Sequence, residues 1–177
     1  MATIWLTYAW ADNANGDVDF IAQELQRKGL VVKLDRWNIS AGQRLWDQIG
    51  TFIQSTDESD AWVMFATQAS LGSEPCREEY AYALDRALNT RTGSFPVAAI
   101  FQGRIDPALL PAGLRSRLCV SLTDADWAER IAASAEGRAH EVTGASIEPF
   151  QMTTHARQGG GFDIEVRPRA GSWHPAT

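Results

Sequence analysis

The sequence predicts a doubly wound α/β domain, and three observations carry that expectation. Five apolar runs have the length of strands: Ile4 to Tyr8, Leu30 to Leu34, Ala61 to Phe65, Val97 to Phe101 and Leu118 to Leu122. The segments between them repeat apolar residues at helical spacing. The runs themselves are nearly continuous in apolar character, which suits parallel strands covered by helices on both faces.

Each element can be justified in turn. After the first run, Val18, Ile21, Ala22 and Leu25 recur at helical spacing, and Gly29 stands where a helix is commonly terminated. Leu45, Ile49, Phe52 and Ile53 form the second stripe; Cys76, Tyr80, Ala83, Leu84, Ala87 and Leu88 form a longer third. Pro75 suits a first helical turn, so that third helix is expected to begin near Ser73 to Pro75. Pro107, Pro111 and Gly113 leave room for only a short helix in the fourth connection. A last helix is expected from Asp126 to Ser134, carrying Trp127 and Ile131. Strict alternation with right-handed crossovers favours the flavodoxin-like strand order 2-1-3-4-5. Sheets of this kind bind ligands beyond the carboxyl ends of their strands, so useful residues should follow the first and third.

From about Ala135 the composition becomes loop-like. After Gly159-Gly160-Gly161, the residues Phe162, Ile164 and Val166 alternate with Asp163, Glu165 and Arg167, which reads as a half-buried strand. The parallel sheet is already complete, so this strand has no obvious partner. The expected division is a first domain over 1–134, then a linker and the start of a second, β-rich domain of a longer protein over 135–177.

Charge and composition narrow the function. Hydrophobic residues make up 45 %, enough for a packed core. Net charge is −6, from 16 basic and 22 acidic residues, with no Lys/Arg cluster. Nucleic acid and anionic membrane surfaces are therefore not the expected partners. Met1 leads straight into Thr3-Ile4-Trp5-Leu6 without a basic lead or long apolar run, so the expected location is cytoplasmic. Cys76 and Cys119 lie in apolar segments and read as buried thiols of a reducing compartment. His140, His155 and His174 all fall in the tail, so no metal site is expected.

Three stretches could carry chemistry. The first strand ends in Tyr8-Ala9-Trp10-Ala11-Asp12, whose aromatics serve either as caps on the core or as the wall of a cleft. Asp35 to Trp46 is a polar loop entering a helix. Trp46 lies beside the Leu45/Ile49 stripe and reads as core, whereas Trp37 has no helical partner and reads as a contact residue. In the third stretch, at ~100° per residue, Glu78 points away from the apolar stripe and should be solvated. Glu79 lies on the flank of that stripe, three residues after Cys76 and four before Ala83. Such a carboxylate can look into a cleft, although on spacing alone the plainer reading is a surface acid near a helix N-terminus.

At these three stretches the chain resembles a Toll/interleukin-1 receptor (TIR) domain of bacterial type. Leu6-Thr7-Tyr8-Ala9-Trp10-Ala11-Asp12 is similar to the family's first box, with Thr7 in place of Ser. Asp35 to Ile49, with Gly42 and Trp46, is similar to the second. Ser73-Glu74-Pro75-Cys76-Arg77-Glu78-Glu79 is similar to the catalytic segment and sets Glu79 on the family's catalytic glutamate. Pro75 stands where bacterial enzymes often carry a stacking Trp, and the last box is represented only by Asp126-Trp127. The resemblance spans Met1 to about Ala133.

The resemblance implies an enzyme that cleaves the nicotinamide–ribose bond of NAD⁺, giving nicotinamide with ADP-ribose or cyclic ADP-ribose. Glu79 would be the catalytic carboxylate, and Tyr8, Ala9, Trp10, Asp35, Trp37, Trp46 and Cys76 would surround the substrate. No cofactor is implied, NAD⁺ being the substrate. Nicotinamide leaves NAD⁺ as a neutral group, so no acid need protonate it and one carboxylate can suffice. Arg36, Asn38, Ile39, Ser40 and Gly42 correspond to a loop that commonly contacts a neighbouring copy, implying activation by self-assembly and, by analogy, a role in anti-phage immunity. Two alternatives stand beside this: a non-enzymatic TIR–TIR interaction module, and a hydrolase of the nucleoside deoxyribosyltransferase kind.

Overall fold

Strand β1 (Thr3–Thr7) is the pivot of the sheet: it pairs in parallel with β2 (Val31–Lys33) on one side and with β3 (Ala61–Ala66) on the other. β4 (Val97–Phe101) and β5 (Val120–Ser121) continue the sheet, giving the five-stranded parallel order 2-1-3-4-5 expected from the sequence. The computed structural model describes residues 1–35, 45–90, 95–103, 105–117, 119–140 and 148–170. Leu118, at the head of the fifth expected strand, lies outside them; that strand is observed over two residues only.

Alternation within the strands sorts two buried layers. Ile4, Leu6, Val32, Val63, Phe65 and Ile100 face α1 (Asp17–Arg27) and the C-terminal helix of this unit. Trp5, Trp62, Met64 and Ala99 face α2 (Leu45–Gln54) and the helices that follow β3. Two helices, not one, occupy that connection: α3 (Gln68–Gly72) and α4 (Glu74–Asn89). Thr67 caps α3 by accepting the amide of Ser70 at 3.0 Å, and Ser73 caps α4 by accepting that of Cys76. The fourth connection holds only the short α5 (Ala112–Arg115), and α6 (Trp127–Ala135) closes the layer against α1. Cys76 is buried as expected, but Cys119 is only half-buried; both are free thiols.

Contacts divide the chain into two units, Met1–His140 and Glu141–Thr177. In the second, β6 (Phe150–Ala156) and β7 (Phe162–Pro168) form an antiparallel hairpin. Two expectations for the tail are corrected here. The strand at Phe162 is not without a partner: Phe150, Met152 and Ala156 carry the same two-residue period, and the glycine run turns the chain between them with positive φ at Gly159, Gly160 and Gly161. Nor is it half-buried, since Phe162, Ile164 and Val166 are 64, 55 and 41 % exposed. A two-stranded ribbon has no layer of its own to cover its apolar face.

Candidate functional site

The site is assembled where β1 ends and α4 begins. α4 places Cys76, Glu79, Tyr80 and Ala83 on its inward face. Its start is fixed by Ser73 at the cap and Pro75 in the first turn, and α3 just ahead is tied to the sheet where Ser70 donates to the carbonyl of Phe65 at 2.7 Å. The Thr67 hydroxyl reaches the Asp12 carboxylate at 2.9 Å, joining the turn after β1 to that after β3. The phase of the helix is therefore set by the first turn, and this decides which of two adjacent glutamates faces inward. Glu78 is exposed and accepts a hydrogen bond from Tyr82 at 3.0 Å, whereas Glu79 is 7 % exposed.

Glu79 meets β1. Trp5 donates from Nε1 at 2.8 Å and Thr7 from its hydroxyl at 2.5 Å, both to the same oxygen, Oε2. Both donors sit on the face of β1 that looks toward α4, and Trp5 is itself stacked on Phe52 of α2 with centroids 5.3 Å apart. Among the described residues no donor reaches Oε1. Burial is the main influence on this carboxyl and pushes its pKa up to about 7, the two hydrogen bonds pulling back and the charge of Asp35 adding to the rise.

Beside Glu79 lies a cavity of about 340 Å³ lined by Tyr8, Ala9, Trp10, Asp35, Ile49, Ser73, Pro75 and Cys76. Tyr8 is buried and donates through its hydroxyl to Asp35 Oδ1 at 2.8 Å. Trp10 is 75 % exposed and donates from Nε1 to Asp35 Oδ2 at 2.7 Å. One carboxylate thus anchors the polar edges of both rings and leaves their faces as apolar surface. Cys76 donates its thiol to the Tyr8 carbonyl at 3.3 Å, and burial pushes its pKa up to about 11, so at neutral pH it is a packing group and not a nucleophile.

Of the residues named from sequence, Tyr8, Ala9, Trp10, Asp35, Cys76 and Glu79 come together around this cavity. Trp37, Arg36, Asn38, Ile39, Ser40 and Gly42 lie outside the described residues, as does the side chain of Trp46. Trp5 and Thr7 were not foreseen as partners of Glu79, although their two-residue spacing put them on one face of the strand. Ile49 and Ser73 were also missed as lining residues; only the packing of α2 and α4 against the sheet reveals them. Pro75, noted for the ring it replaces, contributes its own apolar face to the cavity. No three His, Cys, Asp or Glu side chains cluster as metal ligands among the described residues, and no described helix is long and apolar enough to cross a membrane.

Solved structures with this topology include the TIR domain of the Toll-related receptor TRR-2 from Hydra magnipapillata. It is 11 % identical with a TM-score of 0.60, over 77 % of this chain and 99 % of that one. The TIR domains of the activated Roq1 resistosome, which directly recognizes the pathogen effector XopQ, are 18 % identical with a TM-score of 0.53, over 82 % of this chain and 90 % of that one. At such identities the likeness speaks for the fold alone. Among curated proteins none matches the chain. The family model of the TIR domain matches residues 4–133, well over half the sequence and nearly all of the five-stranded sheet with its helices. The chain belongs to the TIR domain family.

Proposed function

We propose that this TIR domain cleaves the nicotinamide–ribose bond of NAD⁺, releasing nicotinamide and ADP-ribose or its cyclic form, with Glu79 as the catalytic carboxylate. The observation that carries this reading is a buried acid that takes two hydrogen bonds on Oε2 and lines a ligand-sized cavity. A domain that only docks on other proteins has no use for a carboxyl whose ionisation is opposed by burial, and such groups gather at working sites.

Trp5 and Thr7 hold Oε2, which orients the carboxylate without using Oε1. As the C–N bond opens, positive charge grows on the ribose and the electron pair leaves with nicotinamide, which departs neutral; water, for ADP-ribose, or a nucleophile of the ADP-ribose itself, for the cyclic form, then bonds to the ribose carbon and loses a proton to solvent. A fixed carboxylate stabilises that developing charge, and needs no reorganisation to do so. It can also hold a ribose hydroxyl and so set the sugar's position. The cation of the substrate itself draws Glu79 toward its ionised form on binding. Trp10 and Pro75 supply apolar surface at the mouth of the cavity. No cofactor beyond the substrate enters this scheme.

The assembly reading belongs to the same proposal: copies associate through the segment containing Arg36, Asn38, Ile39, Ser40 and Gly42, and activity follows association. A larger cytoplasmic protein with a sensing domain would use such clustering in bacterial defence against phage. The direct test is incubation with NAD⁺ under crowding, comparing wild type with Glu79→Ala and Glu78→Ala. Cleavage should vanish only in the first, and specific activity should climb with protein concentration. Equal rates in all three proteins would remove Glu79 from the reaction.

A further inference from the structure

The register of the hairpin sets Met152 beside Val166, Thr154 beside Ile164 and Ala156 beside Phe162. Residues opposite one another in an antiparallel pair share a face, and successive residues along a strand alternate between faces. These six therefore lie on one side of the ribbon, and none of them carries a charge. The other side pairs Gln151 with Arg167, Thr153 with Glu165 and His155 with Asp163. Its charges are already engaged: His155 reaches Glu165 at 3.0 Å, Arg157 donates to Asp163 at 2.9 Å and Arg167 to Glu165 at 2.6 Å. Among the described residues nothing covers the apolar side. Met152 and Phe162 are 63 and 64 % exposed, and Thr154, Ala156, Ile164 and Val166 are exposed beside them.

We propose that two copies of the chain pair through this face, ribbon on ribbon, as a small two-layer sandwich. Charge and shape select a copy of the chain as the occupant. Residues 148–170 hold three arginines (157, 167 and 169) and three acids (148, 163 and 165), a net charge of zero in a chain of net charge −6. Such a ribbon offers no handle to a nucleic acid, an anionic membrane or a charged peptide, and it does not repel its own copy. Stacked about 10 Å apart on a two-fold axis along the strands, each side chain meets the cross-strand neighbour from the other copy. Phe162 then lies over Ala156 and Ile164 over Thr154, large against small. The two-fold repeats each contact, so the fit is made twice. Size sets the strength. Four apolar side chains left about half open make a patch of a few hundred Å² per copy. Two such patches fall short of the roughly 1,200 Å² at which standard interfaces begin, so the pairing is weak and governed by concentration. It raises the effective concentration of one TIR unit for another, which is the condition the assembly reading requires. The pairing itself does not rest on the NAD⁺ reading.

Sedimentation of the full chain without NAD⁺, from micromolar to millimolar concentration, tests the pairing. Wild type and Thr153→Lys, whose new charge falls on the polar side, should dimerise alike. Ile164→Lys and Ile164→Glu should each need at least about tenfold more protein, because each sets an unpaired charge in the interface. Mixed in equal amounts, these two variants should regain association, their opposite charges standing within reach of each other. That recovery also shows that the ribbon stays folded, since an unfolded one has no face to offer. A wild type that remains monomeric throughout leaves the face to some other partner and overturns the pairing. Association that ignores Ile164→Lys, that falls equally in Thr153→Lys, or that is not regained in the mixture does the same. Flotation of the wild type, but not Ile164→Lys, with phosphatidylcholine vesicles would assign the face to lipid and likewise overturn it.

Discussion

Glu79→Gln should stabilise the domain at alkaline pH while abolishing catalysis, and the size of the effect follows from burial. In an unfolded chain the carboxyl ionises near 4.5, whereas in the fold burial moves it to about 7. Between those values the folded state holds a proton that the unfolded state has released, so stability falls as pH rises. Below about 4.5 both states are protonated and the loss is absent; above about 7 both are ionised and the loss is complete. At about 1.4 kcal/mol per pH unit, the loss amounts to about 3 kcal/mol. Glutamine keeps the shape and offers a carbonyl oxygen to Trp5 and Thr7, but never ionises. Urea unfolding of both proteins at pH 5 and pH 8 would check this. The variant should be close to wild type at pH 5 and more stable by about 3 kcal/mol at pH 8, which in a chain of this size is a melting shift of roughly 6–12 °C. A stability difference that does not change between the two pH values would refute the reasoning, because it would mean that the native carboxyl ionises as it does in water.

Three further outcomes follow from the same geometry. The kcat/KM for NAD⁺ should rise about tenfold per unit of pH up to about 7 and then level off, as the free enzyme's carboxyl loses its proton; a profile flat from pH 5 to 9 would contradict it. Asp35→Asn should raise KM by roughly three- to tenfold through loss of the double anchor on Tyr8 and Trp10, and should move the pH break downward because the charge of Asp35 helps keep Glu79 protonated; an unmoved break would deny that coupling. Gly113→Ala should destabilise by about 1–3 kcal/mol, since its new methyl would lie 2.2 Å from the Tyr80 hydroxyl. Adding Tyr80→Phe should recover most of that, and failure to do so in denaturant titrations would place the strain elsewhere.

How much of the site was legible depended on whether a residue's role was local. Helical phase is local: with the helix started at Ser73, the angle between Glu78 and Glu79 followed from counting residues, and the structure buries the second and exposes the first. Trp5 and Thr7 are 74 and 72 residues from Glu79, and nothing in their own neighbourhood marks them as donors to a carboxylate. The hairpin shows a different kind of gap. Its first strand carries the same two-residue period as its second, but with only Phe150, Met152 and Ala156 as weak apolar markers the signal stayed below notice until the two were seen paired.

By itself the sequence determined the parallel sheet, its strand order and the helix on which the glutamate stands, because periodicity and caps act over a few residues and crossovers have one allowed hand. Tertiary structure alone decided what that glutamate is. Packing α4 over β1 removed the carboxyl from water, put two donors on one oxygen and set the residue in the wall of a cavity. Desolvation and hydrogen bonding depend on which distant groups become neighbours, and only the folded chain brings them together.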